Sequence, residues 1–275
     1  MPELPEVEVC RRGLLPEVEG RTIRDAVVRF PRLRRELPAG LAETLRGRRV
    51  AGILRRGKYL LFDCRGDDGD GWLIIHLGMT GNLRFVSAGT PAGRHDHVDL
   101  VLPHTVLRYS DPRRFGVVAW HPGDDPESDP LLAKLGVEPL SADFTAEWLY
   151  SATRKRQSAI KTFLMDAHAV VGVGNIYASE SLFRAGISPL RAAGRVGKES
   201  CAKLVKAVKE TLGDAIAAGG SSIRDYVHSD GSSGWFQISC GVYDRTGLAC
   251  GRCGGTVRQI RQAGRSTYYC PGCQH

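Results

Sequence analysis

The sequence predicts an α+β protein of two domains, with one helix leading into a β-rich sandwich or barrel, followed by a helical domain that ends in a small metal module. Three observations carry this expectation. Short apolar runs separated by Gly, Pro and Asp clusters occupy the first 122 residues, a period of about 3.6 takes over beyond residue 146, and two CxxC pairs fall within the last 26 residues.

The β-rich part begins after a helix-like N-terminal stretch. Its strand candidates are TIRDAVVRF, RVAGILRRGKYLLFDC, GWLIIHLGMTGNLRFV, HVDLVLPHTVLRYSD and GVVAWHP. Between about Val117 and Ser141, Asp/Pro turns accumulate and β-branched residues thin out, which places a domain boundary there. From Ala146 to Ala218 the pattern is helical. It is clearest where Cys201, Leu204, Val205, Val208, Leu212 and Ile216 share one face and lysines the other, an ordinary core-facing helix. The glycines of VVGVGNIYASESL interrupt that pattern and predict a turn just before a helix that starts at about Asn175. The Gly/Ser-rich stretch 219–235 reads as a mobile loop with aromatic ends. The boundaries expected are 1–130, 131–240 and 241–275.

Composition narrows the class. With 275 residues, 42% hydrophobic and 25% charged, the chain is globular rather than disordered. A net charge of +8 favours a polyanionic partner without identifying one, but the distribution says more. From Arg245 to His275 there are five arginines and no acidic residue, whereas 124–129 reads DDPESD. The N-terminus is acidic and broken by prolines, unlike a signal peptide, and nothing resembles an 18-residue apolar span. A cytoplasmic monomer with no membrane association is expected.

Cys250, Cys253, Cys270 and Cys273 form CxxC, sixteen residues, CxxC. Two such knuckles supply four thiolates to one tetrahedral Zn2+, and four protein ligands leave no open position, so the metal is structural. Two disulfides are the alternative, disfavoured by the absence of secretory features. Cys10, Cys64, Cys201 and Cys240 lack such spacing and read as small core residues.

Pro2 follows Met1 and is small enough for the initiator to be removed. The chain would then begin with a secondary amine, and an α-amino group with a pKa of about 7.7 to 8.0 is partly unprotonated and nucleophilic near neutrality. The alternative is that Pro2 and Pro5 merely start a helix.

Seven motifs in order decide between these readings: PELPEVE at 2–8, RRGKYLLF at 55–62, HLGMTGNLR at 76–84, HDHVDL at 95–100, DPRRFG at 111–116, VVGVGNIYASESLF at 170–183 and SDGSSGWF at 229–236. GRSTYYCPGCQ at 264–274 completes the series. Over nearly its whole length the chain resembles the formamidopyrimidine-DNA glycosylase family. The leucine of PELPE looks like the purine-repair branch, since the sister endonuclease VIII group typically has glycine there.

The resemblance implies an N-terminal helix plus β-sandwich, then a helix-two-turns-helix bundle and a C-terminal zinc finger, with damaged double-stranded DNA crossing between the domains. It implies that Pro2 attacks the anomeric carbon and that Glu3 protonates the sugar ring oxygen, a general acid beside the amine. Otherwise Glu3 would only favour the positive end of the first helix. Lys58 would contact the phosphate at the lesion and assist elimination. Arg265 matches the family arginine of the finger loop, and Asn175 the phosphate-gripping asparagine of the GVGN turn, where helix-start amides would help.

A base must leave the stack before the amine can reach its sugar. Met79, Arg113 and Phe115 match the trio that fills the void, apolar wedges holding the kink while the arginine faces the orphaned base. In isolation Met79 and Phe115 would read as core residues. His76, His95 and the cluster Arg154, Lys155 and Arg156 look like further phosphate contacts. The HDH pair has no third ligand nearby and makes a poor metal site. The activity implied is excision of 8-oxoguanine and formamidopyrimidines, then strand cutting by β- and δ-elimination. The rivals are an oxidised-pyrimidine glycosylase of the endonuclease VIII type and a non-catalytic DNA-binding zinc protein.

Overall fold

A computed structural model describes residues 1–220 and 240–275. Two compact units result, one from Met1–Ala133 with Gly219 and Gly220, the other from Lys134–Ala218 with residues 240–275. The expected 219–235 loop falls almost wholly outside the described residues, as does the SDGSSGWF motif.

The first unit is a β-sandwich. Its sheets are both four-stranded and antiparallel. One contains β2 (Arg49–Arg56), β3 (Tyr59–Arg65), β4 (Gly71–His76) and β8 (Val117–Pro122) in that order. In the other, β1 (Asp25–Val28) neighbours β6 (Asp96–Val101), then come β7 (Val106–Ser110) and β5 (Asn82–Val86). The strands arise where the apolar runs were found, and register puts like with like: Leu60 pairs with Ile75, Phe62 with Leu73 and Leu100 with Leu107. These residues belong to one buried cluster with Val7, Cys10, Leu14 and Val18, the inward face of helix α1 (Leu4–Val18). A buried side chain of this size contributes roughly 1.5–3 kcal/mol, so this face alone holds α1 firmly. The short helix α2 is Leu41–Leu45.

The second unit is built from α3 (Ala146–Thr153), α4 (Ile160–Leu164), α5 (Asn175–Ala185) and α6 (Lys198–Ala217). Helix α5 begins at Asn175, where the glycine pattern placed a helix start, and ends at Gly186, whose φ of 70° supplies the left-handed C-cap. On α6, Cys201, Leu204, Val205, Val208 and Leu212 are buried as the 3.6 period requires. A hairpin of β9 (Arg258–Gln262) and β10 (Arg265–Tyr269) closes the chain. Its two-residue turn has both Ala263 (φ 46°) and Gly264 (φ 77°) in the left-handed region, which suits the twist of a tight hairpin. No helix among the described residues is long and apolar enough to cross a membrane.

Candidate DNA-repair site

In the first unit, Pro2 and Glu3 stand immediately before α1, and both are buried. Glu3 is the helix N-cap, and its backbone N–H donates to Glu6 Oε2 at 2.8 Å. The polar start of PELPE is therefore fixed by the helix it opens. One turn on, Glu8 binds the helix to strand β2. Its carboxylate accepts from Arg11 (2.9 and 3.0 Å), Arg12 (2.8 Å) and Arg55 (3.2 Å), and Arg11 also donates to the Ile53 carbonyl. Burial alone would raise the Glu8 pKa, but these guanidiniums outweigh it and hold the carboxyl at about 2.

Lys58 lies in the two-residue turn between β2 and β3, where Gly57 (φ 56°) takes the left-handed position. His76 ends β4 opposite Tyr59, with ring centroids 4.8 Å apart. Burial, reinforced by the Lys58 and Arg34 cations, pushes the His76 pKa down to about 4. The imidazole is therefore neutral at physiological pH. Its Nδ1 accepts from the Gly78 N–H at 3.0 Å, which leaves the proton on Nε2, a donor suited to a phosphate oxygen.

Met79 and Phe115 are 37% and 44% exposed, so neither is a core residue. The Arg113 guanidinium lies 4.6 Å from the Phe115 ring centroid, which brings two of the expected trio into one cation–π pair. His95 is half-buried just ahead of β6, and its carbonyl accepts from the Asp111 N–H at 3.0 Å.

The second unit gathers another set. Asn175 is tied to strand β10, which Arg265 opens, by a residue that the sequence did not single out, the fully buried Lys161. Its ammonium donates to Asn175 Oδ1 (2.6 Å), Thr267 Oγ1 (2.8 Å) and the Ser266 carbonyl (3.1 Å). An ammonium has only donors, so the Asn175 carboxamide oxygen must face it, and the NH2 remains to grip an acceptor. Arg156, Lys161, Gln262, Arg265 and Thr267 line a recess of about 400 Å³. Arg156 and Arg265 are exposed. Arg154 is not available in the same way. It stacks over Tyr150 at 3.7 Å and donates to the Tyr150 and Val196 carbonyls, so this member of the basic cluster turns inward.

The four finger cysteines converge, with all ligand sulfurs within 4.8 Å of one another. Cys250 and Cys273 lie 3.8 Å apart and Cys253 and Cys270 3.5 Å, close to the edge of about 3.8 Å in a tetrahedron with Zn–S bonds of about 2.3 Å. The donor set fits one structural zinc, whose filled coordination leaves it outside the chemistry. Glu180 of α5 secures the approach to the finger by accepting from the Gly241, Val242 and Tyr243 N–H groups at 2.7 to 3.0 Å. Cys10, Cys64, Cys201 and Cys240 are buried as expected, and burial pushes the Cys64 and Cys240 thiols up to about 12.

A proline ahead of an N-capping glutamate on a sandwich, a helix-start asparagine tied to a basic hairpin and a four-cysteine knuckle are the features of a zinc-finger protein with two basic surfaces fit for a polyanion. Models of known families match it in three segments: the formamidopyrimidine-DNA glycosylase N-terminal domain over residues 1–118, its H2TH domain over 135–227, and the zinc finger found in FPG and IleRS over 247–275. The formamidopyrimidine-DNA glycosylase of Dechloromonas aromatica is 65% identical across the whole of both chains. The MutM (Fpg) structure from Thermus thermophilus is 40% identical with a TM-score of 0.88, covering 99% of this chain and 98% of that one. A Lactococcus lactis FPG mutant solved with Fapy-dG-containing DNA is 37% identical with a TM-score of 0.92, covering all of both chains. The chain belongs to the formamidopyrimidine-DNA glycosylase family.

Proposed function

We propose that this chain excises oxidised purines, 8-oxoguanine opposite cytosine and formamidopyrimidines, from damaged duplex DNA, and then cuts the strand using Pro2 as the nucleophile. The observation that carries this reading is the placement of Pro2 and Glu3 at the head of a helix that a buried core face and the Glu8 clasp hold in one position. Removal of Met1 frees the ring nitrogen. The nitrogen attacks C1′ as the base departs, and Glu3 gives its proton to the ring oxygen as the sugar opens. The resulting iminium acidifies C2′, so loss of that proton expels the 3′ phosphate, and a second elimination expels the 5′ phosphate.

Lys58, neutral His76 and His95 grip the backbone from the sandwich, while Asn175, Arg156 and Arg265 grip it from the second unit. Met79, Arg113 and Phe115 fill the space left by the extruded nucleotide. The leucine in PELPE supports purine lesions. Four thiols grouped for a metal suit a reducing compartment, which we take to be the cytoplasm.

Duplexes carrying 8-oxoguanine or thymine glycol test the substrate. Faster release of 8-oxoguanine is expected. Preferential release of thymine glycol would transfer the chain to the pyrimidine branch, and no release or nicking of either would reduce it to a DNA-binding zinc protein.

A further inference from the structure

The two motifs that supply the void-filling side chains also contain Thr80 and Asp111, which the reaction does not use. Asp111 is completely buried, yet its carboxylate is surrounded by donors from two turns. Oδ1 accepts from Thr80 Oγ1 at 2.6 Å and from the Arg113 N–H at 3.3 Å. Oδ2 accepts from the Gly116 N–H at 2.9 Å and from the Tyr109 hydroxyl at 3.2 Å. The Arg113 N–H also reaches Thr80 Oγ1 at 3.2 Å. One carboxylate thus joins the turn bearing Met79 to the turn bearing Arg113 and Phe115.

Each turn also closes on itself, the Gly81 N–H donating to the Leu77 carbonyl at 2.8 Å and the Arg114 N–H to the Asp111 carbonyl at 3.2 Å, and the Arg114 guanidinium stacks on the Phe30 ring at 4.2 Å. Residues 112–115 are all exposed, and Arg114 holds a φ of 54°, a conformation that a non-glycine residue keeps only when its surroundings impose it. The turns approach so closely that a Cβ at Gly78 would lie 2.5 Å from the Gly116 nitrogen. Behind the carboxylate, the Asp111 backbone is itself fixed, its N–H to the His95 carbonyl and its carbonyl 2.9 Å from His97 Nε2. Burying a carboxylate is unfavourable unless its hydrogen bonds are made, and here all four come from the turns or the strand leading into them.

We propose that Asp111, acting with Thr80, is the positioning residue that presets the Met79 and Arg113–Phe115 turns as one wedge before DNA arrives. The inference rests on the void-filling reading given above. Presetting matters because a wedge already in shape loses less conformational freedom when it enters the stack. It therefore assists extrusion of a stacked base more than reaction at a site that has no base.

The test is the ratio of lesion excision from intact duplex to strand cutting at a preformed abasic site, both under single turnover. Thr80→Val removes the bridging hydroxyl at nearly constant volume, and the ratio should fall about tenfold, the loss expected for one charge-assisted hydrogen bond. Thr80→Ser keeps the hydroxyl and should stay within about twofold of the parent. Asp111→Asn should fall at least as far as Thr80→Val, with thermal unfolding showing whether the variant still folds. Adding Thr80→Val to Phe115→Ala should lower the ratio no further, since both act through one wedge. An unchanged ratio in Thr80→Val beside a reduced one in Phe115→Ala overturns the inference alone, as does a Thr80→Ser variant as defective as Thr80→Val. An unchanged ratio in Phe115→Ala removes the wedge reading and this inference with it.

Discussion

The sandwich and the finger solve the same problem, holding a few polar groups in place, by different means. The sandwich sets the start of α1 on a core of more than twenty buried residues drawn from both sheets and the helix. Among the described residues the finger's buried cluster comprises Val242, Cys250, Val257, Tyr268 and Cys270 with Phe183 of α5, and Tyr243 and Cys273 pack against it half-buried. So small a core cannot order a hairpin by burial, and the cysteine cluster must supply the difference. The groups proposed for covalent chemistry are thus independent of metal, whereas Arg265 depends on it.

The largest expected effect follows from that contrast. Chelation, or Cys253→Ser, should unfold the hairpin, because zinc binding of about 10–16 kcal/mol and local folding are one equilibrium. DNA affinity should then drop by about 100-fold or more as Arg265 is lost from the contact. Hydrogen exchange read across Met1–Ala133 should remain protected. Exchange rising equally in both units would break the comparison.

A smaller effect separates the units by pH. Glu8 protonates near 4.5 in an unfolded chain but only at about 2 in the folded one. Between those values the unfolded state binds more protons, so the stabilisation is complete above pH 4.5 and is lost as pH falls toward 2. Its size is at most about 3 kcal/mol. Glu8→Gln should flatten the acid limb of sandwich unfolding and leave the finger's zinc affinity unaltered. An unchanged acid limb would remove the clasp from the account.

The smallest effect sharpens the second unit. Lys161→Met keeps the length of the side chain but leaves its three acceptors without that donor, and should destabilise the unit by about 2 kcal/mol. Binding of an abasic duplex should weaken in the same variant, because Asn175 and the β10 backbone lose their common tie. Full affinity with lowered stability would make Lys161 structural only.

What the sequence revealed follows from the range of each signal. Strand positions, the helix start at Asn175 and the zinc ligands depend on spacings of a few residues, and periodicity or CxxC geometry records them directly. Asp111 and Thr80 sit inside quoted motifs, yet their pairing joins positions 31 residues apart. Lys161 meets Thr267 across 106 residues, and nothing local distinguishes it from a surface lysine. The RKR cluster shows the same limit, since chain order could not show that Arg154 donates to the Tyr150 carbonyl of its own helix. Exposure also had to be seen. Met79 and Phe115 look like core residues in isolation, and beside the motif match their placement on exposed turns is what sets them apart from the core.

The central claim is that residue 2 carries the covalent chemistry from a metal-independent scaffold. The most direct measurement is borohydride trapping on a lesion-bearing duplex, followed by peptide mapping of the protein–DNA adduct. The reduced adduct should map to Pro2, and a chain that retains Met1, or has one residue inserted before Pro2, should give none. The competitor is Lys58, whose amine could do similar chemistry once deprotonated. An adduct on Lys58, or undiminished trapping with Met1 retained, would contradict the account and leave Pro2 as no more than the residue before a helix.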